Sequence, residues 1–446
     1  MPKEAVVIVS LGCSKNLVDS EVMAGILAKR GYGLVSSVEE ADIAIINTCG
    51  FIESAKQESV DTVLEIADRG KRSGLSVLIV AGCLGQRYAA ELLKSMPEIN
   101  AVVGTGEFPR IDEIVERALA GERVVAVGHP EYLYDHDSPR IMSTPKHYAY
   151  LKIADGCDNR CSYCAIPQIR GCLRSRRIES VQTEAEALAA AGCRELILIA
   201  QDTTAYGVDL YGRPMLPELI RSLCRVDGIE WIRLLYTYPT RITDDLIDVI
   251  IEQPKVARYL DIPIQHVSGR ILQAMGRAGD AASLSRLFGR IRERIPDITL
   301  RTSLIVGFPG ETDEEFSELM QFVEDQKIDR VGVFMYSREE GTAAASLDGQ
   351  IPERLKKRRY AEIMELQKSI SLEKMRARIG RVERVLVDGV SEECEWVAVG
   401  RSQREAPEVD GLIYIENERP DQGAFVDVRI TNASDYDLVG EIVSSA

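Results

Sequence analysis

Three cysteines in the stretch ADGCDNRCSYCAIPQIRG, residues 154–171, form a Cys-x3-Cys-x2-Cys array: Cys157, Cys161 and Cys164. Three thiolates in one loop can hold three irons of a [4Fe-4S] cube and leave the fourth iron open to another ligand. The alternative is a structural zinc site, which needs a fourth protein ligand, and Cys172 is the candidate for it. The array therefore predicts either an open iron–sulfur site or a closed zinc site.

A second set of three cysteines is spread along the first hundred residues, at Cys13, Cys49 and Cys83. Each follows an apolar, strand-like run, in LGC, NTCG and AGC. Since the C-termini of strands in a parallel doubly wound sheet lie along one edge, we expect these thiols to converge. Buried thiols also occur as simple packing residues, but three strands that each end in cysteine favour a second three-cysteine cluster. The cysteines without a partner spacing are expected to be packing residues: Cys193, Cys224 and Cys394.

Weaker signals follow other strand ends. SLIVGFPGET places Gly307 and Glu311 after a strand, where glycine permits close approach of a ligand. PIQH places Gln265 and His266 at a strand end, where they could bind a ribose or substrate, or each other. RGCLRSRR carries four arginines that form either a solvated loop or a site for a carboxylate: Arg170, Arg174, Arg176 and Arg177.

The elements that would position these residues follow an α/β pattern. Continuous Val/Ile runs alternate with helical stretches over the first 120 residues, which indicates a parallel sheet covered on both faces. We expect strands over 5–13, 41–50 and 76–83, and helices over 20–32 and 53–71. The proline-containing, aperiodic residues 129–147 indicate a linker.

From Tyr148 onward six longer strand–helix units predict a barrel or partial barrel, whose loops after the strand C-termini hold the chemistry. A long helix over 352–380 follows. The short alternating strands beyond Gly380 predict a small all-β barrel of about 65 residues. The expected fold is thus a doubly wound sheet, a partial barrel and a small β barrel.

Composition limits the cellular setting. The 446 residues are 45% hydrophobic and 28% charged, typical of a soluble globular protein. The N-terminal stretch MPKEAVVIVS lacks a signal peptide and no apolar run is long enough to span a bilayer, so we expect a cytoplasmic protein without membrane contact. In that reducing compartment ten cysteines favour metal binding over disulfides. The net charge of −16 favours a basic partner over non-specific nucleic-acid binding.

Together these motifs resemble the methylthiotransferases, a branch of the radical S-adenosylmethionine (SAM) superfamily, over essentially the whole chain. The superfamily motif is Cys-x3-Cys-x-aromatic-Cys, and Tyr163 stands at the aromatic place. SLGCSKNLVDSE (10–21), GCDNRCSYCAIPQIRG (156–171), AQDTTAYG (200–207) and LDIPIQH are similar to the members that modify a ribosomal protein. The tRNA-modifying members typically read GCQMN and GQNVNAY there. The family gives Cys172 no ligand role, which disfavours zinc.

The resemblance implies methylthiolation of the β-carbon of an aspartate in small-subunit ribosomal protein S-twelve. It implies an N-terminal methylthiotransferase domain over 3–122, a radical SAM core with a partial (β/α)6 barrel over 143–374, and a TRAM domain over 376–444. The implied cofactors are SAM and two [4Fe-4S] clusters. One cluster would cleave SAM reductively from Cys157, Cys161 and Cys164, and the auxiliary one would carry sulfur on Cys13, Cys49 and Cys83.

The resemblance also suggests residues of the SAM pocket, by their position at strand ends: Tyr163, Gln265, Arg301, Gly307 and Glu311. A low-potential electron donor such as flavodoxin or ferredoxin would be a further partner.

The identity of the substrate rests on charge as well as motif. TRAM domains usually bind RNA, which keeps a tRNA (adenosine) methylthiotransferase as the alternative. Residues 376–446, however, hold eight Lys or Arg and fifteen Asp or Glu, a net charge of −7. An acidic barrel should repel a polyphosphate and attract a basic ribosomal protein, so we expect the latter partner rather than tRNA. Alternatives of other classes are a non-catalytic, zinc-binding docking module and a radical SAM enzyme that transfers only electrons or methyl groups.

Overall fold

Six parallel strands form the N-terminal sheet in the computed structural model, which describes residues 4–443. The elements of this unit are β1 (Ala5–Ser10), α1 (Ser14–Lys29), β2 (Gly33–Leu34), β3 (Ile43–Thr48), α2 (Glu53–Ser73), β4 (Val77–Gly82), α3 (Cys83–Ser95), β5 (Ala101–Val103), α4 (Ile111–Leu119) and β6 (Val124–Ala126). The strand order is β2-β1-β3-β4-β5-β6. Apolar residues of α1 and α4 cover one face and those of α2 and α3 the other. The predicted doubly wound sheet is confirmed.

The beginning of α1 differs from the prediction. The strand ends at Ser10 and the helix begins at Ser14, directly after Cys13, rather than near residue 20. The first turns of α1 bury polar side chains, among them Lys15, Asn16 and Asp19. A buried polar face gives no apolar periodicity, so the hydrophobic pattern placed the start too late.

Residues 127–147 contain neither helix nor strand, as the prolines predicted, but they are not a solvated linker. Tyr134 is buried. Arg140 forms ion pairs of 2.6 Å with both Glu21 and Glu184, so this segment is bound to α1 and to the central unit. The segment therefore holds the first two units together instead of separating them.

The central unit is a six-stranded parallel sheet in the order β14-β13-β12-β11-β10-β7, a partial barrel as predicted. Its elements are β7 (Tyr148–Lys152), β8 (Ala154–Asp155), α5 (Ile166–Arg170), β9 (Arg174–Ser175), α6 (Ile178–Ala190), β10 (Glu195–Ile199), α7 (Val208–Tyr211), α8 (Leu216–Leu223), β11 (Trp231–Leu234), α9 (Asp244–Glu252), β12 (Val256–Asp261), α10 (Gly269–Ala274), α11 (Ala281–Arg294), β13 (Thr299–Val306), α12 (Asp313–Gln326), β14 (Arg330–Met335) and α13 (Glu353–Arg376). Single-turn 3-10 helices occupy Val38–Glu40, Phe108–Arg110, Thr203–Ala205, Pro239–Arg241 and Ala343–Ser346.

The C-terminal unit is a closed barrel in the order β15-β16-β17-β19-β18, which confirms the predicted small β barrel. Its strands are β15 (Val382–Val390), β16 (Ala398–Arg401), β17 (Ile413–Ile415), β18 (Phe425–Ala433) and β19 (Leu438–Ile442). The expected domain limits at residues 3 and 444 lie outside the described residues. Across residues 4–443, no helix combines the length and the apolar character that crossing a bilayer requires.

Buried charges attach this barrel to the central unit. Glu195, the first residue of β10, accepts from Nε of Arg233 at 2.8 Å and from Nη1 of Arg401 at 2.7 Å. Arg401 belongs to β16 and also pairs with Asp388. All of these side chains except that of Asp388 are almost fully buried. The two units therefore meet at a fixed seam.

Candidate functional site

Cys13, Cys49 and Cys83 lie at the carboxyl ends of three adjacent strands. Cys49 directly follows β3, Cys83 directly follows β4, and Cys13 is the N-cap of α1, three residues after β1. The strand order puts β1, β3 and β4 side by side, and the chain reverses its direction of winding between β1 and β3. Ligands bind doubly wound sheets at such a reversal. The structure thus brings together the three thiols that the sequence predicted to converge.

Two glycines allow the three loops to approach each other. Gly12 has a φ of 87°, and a Cβ added there would lie 2.8 Å from Cβ and 3.2 Å from Sγ of Cys49. A Cβ on Gly50 would lie 2.8 Å from the carbonyl carbon of Cys83. Any side chain at these positions would push the cysteine loops apart.

Positive charge surrounds the first set of thiols. Arg170 places Nη2 3.7 Å from Sγ of Cys83 and donates to Oδ1 of Asn16 at 2.6 Å. Cys13 is exposed to solvent, although desolvation by the atoms around its sulfur would by itself raise its pKa. The charges of Lys15 and Arg170 outweigh that effect and lower the pKa of Cys13. A thiol with a depressed pKa ionises readily, and the thiolate is the metal-binding form.

The other two thiols of this set have raised pKa values. Burial, and then the neighbouring charge of Cys83, raises the pKa of Cys49 to about 12. Burial also raises the pKa of Cys83, although Arg170 opposes it. Both thiols therefore hold their protons more tightly than an ordinary cysteine, and a metal would have to displace these protons on binding.

Cys157, Cys161 and Cys164 lie in the loop between β8 and α5. The antiparallel pair of β8 and β9 closes this loop at its base, where the Cys157 amide donates to the Gly171 carbonyl at 3.1 Å. The Cys164 amide donates to the Cys161 carbonyl at 3.1 Å. Burial and the charge of Cys161 contribute to raising the pKa of Cys164 to about 12, so the thiols of this set also lie within electrostatic reach of one another. The three cysteines of the Cys-x3-Cys-x2-Cys array therefore lie together in one ordered loop that backbone hydrogen bonds close.

Helix α5 joins the two sets of cysteines. It begins two residues after Cys164 and ends at Arg170, the residue next to Cys83. Ala165 and Ile169 pack against Cys83 in one apolar contact. Five helical residues span only about 7–8 Å. The two candidate sites therefore face each other across a single short helix.

A buried ion network stands beside this helix. Asp19 accepts from Nζ of Lys152 at 2.5 Å and from Nη1 of Arg170 at 2.7 Å. Asp155 accepts from the same two groups, each at 3.1 Å. Burial would raise the pKa of Asp155, but Lys152 and Arg170 outweigh it and hold the pKa well below its usual value. The solvated-loop interpretation is wrong for Arg170, because its guanidinium is buried against carboxylates of the chain itself.

Arg277 is a functional candidate that the sequence reasoning missed. Its Nη1 lies 3.8 Å from Sγ of Cys161, and its Nη2 donates to the Pro263 carbonyl at 2.6 Å. The guanidinium stacks on the ring of Tyr238, 4.3 Å from the centroid. Its only sequence signal was a lone arginine in AMGRAG, more than a hundred residues from the cysteines. Each set of thiols thus has one buried arginine at a sulfur atom.

The suggested SAM-pocket residues fall into two groups. Tyr163 follows Cys161 and packs against the apolar cluster of α10 and β13, and Gln265 has a φ of 70° where it bridges to Leu304. Arg301, in contrast, pairs with Asp261 at 2.8 Å. The second group thus has an ionic partner inside the chain, whereas Tyr163 of the first group forms a side-chain hydrogen bond with Cys161.

Glu311 and Gly307 form the turn after β13. The Glu311 carboxylate accepts from the amides of Gly307 and Phe308 and pairs with Arg359 of α13 at 3.0 Å. His266 does not pair with Gln265 as considered; its Nδ1 accepts from the Ser268 amide at 3.0 Å. In the described part of the chain its Nε2 has no partner.

The remaining cysteines differ from one another. Cys193 is buried, as a packing residue should be, and Cys224 is half-buried, whereas Cys394 is exposed and does not pack. Cys172, the candidate fourth zinc ligand, is also exposed. A zinc ion needs its ligands within about 2.0–2.3 Å of one point. Among residues 4–443 there is no group of three His, Cys, Asp or Glu side chains that could hold one metal ion.

Three family profiles match consecutive parts of the chain. They are an uncharacterized protein family, UPF0004, over residues 5–104, the radical SAM superfamily over 151–323, and the TRAM domain over 379–443. These parts correspond to the N-terminal sheet, most of the partial barrel and the closed barrel. Membership of the radical SAM superfamily implies SAM and a [4Fe-4S] cluster as cofactors.

Full-length relatives decide the family. The ribosomal protein uS12 methylthiotransferase RimO of Geobacter sulfurreducens is 53% identical over 443 residues, 99% of each chain. The protein of the same name from Geotalea uraniireducens is 51% identical over 442 residues, again 99% of each chain. The chain belongs to the RimO family of methylthiotransferases. As a RimO family member it is a radical SAM transferase.

Solved structures share the architecture at low identity. The radical SAM methyltransferase TsrM from Kitasatospora setae aligns with a TM-score of 0.58 at 16% identity, over 77% of this chain and 74% of that one. The cobalamin-dependent SAM radical enzyme OxsB aligns with a TM-score of 0.53 at 14% identity, over 82% of this chain and 57% of that one. At these identities the likeness concerns the fold, and the RimO assignment rests on the full-length relatives.

Proposed function

We propose that this RimO family chain adds a methylthio group to the β-carbon of an aspartate in ribosomal protein uS12, and that it uses two [4Fe-4S] clusters to do so. The observation that carries the proposal is that both three-cysteine sets lie beside α5: one set precedes the helix in the chain, and Cys83 of the other packs against Ala165 and Ile169. A single set would serve a radical SAM enzyme without a sulfur carrier. Two sets joined by one short helix suit a reaction that needs a radical and a sulfur atom at the same carbon.

Neither set could hold a single metal ion in the described chain, but in a [4Fe-4S] cube each thiolate binds a separate iron, so three sulfur ligands suit such a cluster. Cys157, Cys161 and Cys164 would hold one, and Cys13, Cys49 and Cys83 the other. All six are free thiols, and each set offers three sulfur ligands rather than the four of a closed site. When bound, the first cluster with SAM supplies a carbon radical that can remove hydrogen from an unactivated C–H bond, and the second supplies sulfur.

Residues of this chain act on those sites through charge and position. Arg277 donates toward Cys161 and Arg170 toward Cys83, so each set carries a buried N–H donor at one sulfur atom. Hydrogen bonds to ligand sulfurs tune the reduction potential of an iron–sulfur centre. We assign Tyr163, Gln265 and Gly307 to the SAM pocket. Arg301 and Glu311, each held in an ion pair with another residue of the chain, would help to fix the shape of that pocket.

A basic protein is the proposed partner. The C-terminal unit is strongly acidic, with a net charge of −7 over 376–446. Its loop SEECEW, residues 391–396, places three glutamates beside Trp396, which is 83% exposed. An exposed aromatic ring among acids suits lysine and arginine side chains better than phosphates. A low-potential protein such as flavodoxin or ferredoxin would supply electrons. We propose that residues 3–122 hold the cluster that supplies sulfur, that residues 143–374 bind SAM, and that residues 376–444 dock the substrate protein.

The deciding experiment is co-expression of the chain with uS12, followed by peptide fragmentation. We expect one aspartate to gain a sulfur atom together with a methyl group. A gain of methyl alone would indicate methyl transfer without sulfur insertion, and unmodified uS12 together with methylthiolated tRNA would establish the tRNA alternative. Anaerobic reconstitution should yield about eight irons per chain; one or two firmly bound zinc ions instead would exclude the cluster assignment.

A further inference from the structure

We propose that Lys15 is a specificity-determining residue that binds the side-chain carboxylate of the substrate aspartate. The assignment rests on the proposed function and adds the group that recognises the substrate's charge. It follows from three features of the structure: the place of Lys15 beside both candidate sites, its lack of an anionic partner, and the aromatic ring that holds its ammonium.

Lys15 lies at the boundary between the N-terminal sheet and the partial barrel. It is the second residue of α1 and stands two positions after Cys13, whose thiol pKa it helps to lower. Its Nζ lies 3.0 Å from the ring centroid of Tyr236, which follows β11 at the carboxyl end of the partial barrel. The ammonium thus projects from one candidate site toward the strand ends that surround the other. The positive end of the α1 dipole adds to its charge.

Lys15 has no carboxylate partner in the described part of the chain. The residue is only 7% exposed, but its Nζ still reaches solvent, and among residues 4–443 no carboxylate lies within ion-pair distance of it. Nearby cations are treated differently, since Lys152 and Arg170 each pair with both Asp19 and Asp155. A carboxylate that arrives with the substrate would supply the missing partner.

Tyr236 positions the ammonium without using its donors. The ring face attracts a cation through its quadrupole but accepts no directed hydrogen bond, so the three N–H groups of Lys15 remain free for oxygen atoms. Tyr236 has a φ of 59°, a left-handed conformation that is strained for a non-glycine residue. Its amide donates to Asp261 at 2.9 Å, and Arg301 pairs with the same carboxylate at 2.8 Å. These contacts therefore keep the backbone of Tyr236 in a strained conformation that places its ring against the ammonium of Lys15.

The chemistry of the substrate explains the requirement. In an aspartate the reacting β-carbon is bonded directly to the carboxylate, so an ammonium that fixes this carboxylate also fixes the C–H bonds one atom away. Charge-assisted hydrogen bonds are short and directional, which suits such positioning. An asparagine at the same place presents no charge, and Lys15 would then discriminate between the two residues.

The test compares uS12 carrying the target aspartate with uS12 carrying asparagine there, using the reconstituted full-length protein. Lys15→Met keeps the length of the side chain and removes its charge, Lys15→Arg keeps the charge, and Lys29→Met removes an exposed charge from the same helix as a control. Loss of one hydrogen-bonded charge should lower kcat/KM for the aspartate substrate about 10- to 100-fold. The kcat/KM for the asparagine substrate should change little, so the enzyme should lose most of its preference for aspartate over asparagine. We expect Lys15→Arg to retain part of the preference and Lys29→Met all of it.

Other outcomes are separable. If Lys15→Met lowers kcat/KM equally for both substrates, or keeps the preference for aspartate, the assignment of Lys15 is wrong while the proposed function stands. If the wild-type protein modifies neither form of uS12, the proposed function is wrong and this inference with it. Iron content, measured for every variant, reports whether the cysteine sites are intact.

Discussion

Nη2 of Arg170 lies 3.7 Å from Sγ of Cys83, although the two residues are 87 positions apart in the chain. Arg170 ends α5, which begins just after the cysteine loop of the partial barrel, and Cys83 directly follows a strand of the N-terminal sheet. The same guanidinium binds Asp19 and Asn16 of α1. One side chain thus couples the geometry of both cysteine sets.

Replacing Arg170 by Met should destabilise the contact between the first two units. Removing one partner of a buried ion network leaves Asp19 and Asp155 with less compensation, which typically costs about 3–5 kcal/mol. Denaturation monitored by fluorescence should show an earlier first transition. Arg177→Met is the matched control: Arg177 is exposed at the N-cap of α6, and its loss should change the free energy of unfolding by no more than about 0.5 kcal/mol. Equal effects of the two variants would contradict the role assigned to Arg170.

Single cysteine replacements should separate the two sites. Cys161→Ala should lower the iron content from about eight to about four and abolish SAM cleavage. Cys83→Ala should cause a similar loss of iron but leave SAM cleavage measurable, while methylthiolation stops. Cys394→Ala, at an exposed cysteine outside both sets, should bind iron as the wild type does. Loss of SAM cleavage in Cys83→Ala would show that the sites are not separable in this way.

Gly12 and Gly31 offer a matched pair of glycine replacements. Both have left-handed φ values, 87° and 92°, so alanine is strained at either position. A Cβ at Gly12 would lie 2.8 Å from Cβ of Cys49, whereas a Cβ at Gly31 would meet nothing within 4 Å. We expect Gly31→Ala to cost about 1–2 kcal/mol from backbone strain alone. Gly12→Ala should cost more and should also reduce iron binding at the N-terminal set, as measured after reconstitution. Full iron binding by Gly12→Ala would show that the loops can separate without harm.

His266 should make the stability of the protein depend on pH. Its burial lowers its pKa from 6.5 to about 4, with Glu315 opposing this shift and Arg359 and Arg270 adding to it. As the pH falls, His266 therefore binds a proton near pH 6.5 in the unfolded chain but only near pH 4 in the folded chain. The stabilisation is complete above pH 6.5 and is lost as the pH falls toward 4, by up to about 3 kcal/mol.

The measurement for His266 is urea denaturation of wild type and His266→Gln at several pH values. The difference between their free energies of unfolding should shrink as the pH falls from 7 to 4, because glutamine does not titrate. A difference that stays constant over this range would mean that His266 keeps its ordinary pKa in the folded protein.

The sequence was sufficient for the sheet and for the position of Cys49 and Cys83 at its carboxyl edge. Cys49 and Cys83 each follow a continuous apolar strand. Because parallel strands share one carboxyl edge, the sequence leaves few alternatives for where these two cysteines lie. It was not sufficient for α1, whose first turns bury Lys15 and Asp19 and so lack apolar periodicity. Nor could it assign Arg170, because its partners come from α1, some 150 residues earlier. Pairings across such separations are set by the packing of whole units and leave no local pattern.

The seam at Glu195, where Arg233 and Arg401 share one buried carboxylate, has a consequence for substrate selection. If the barrel docks uS12 as proposed, the fixed seam would present the bound protein in one orientation, whereas a flexible tether would allow many. The distance between the docked surface of the substrate and its reactive residue would then determine which residue is modified. Each residue inserted into or removed from that span would shift the target by up to about 3.5 Å, so neighbouring aspartates of the same substrate would lie out of reach.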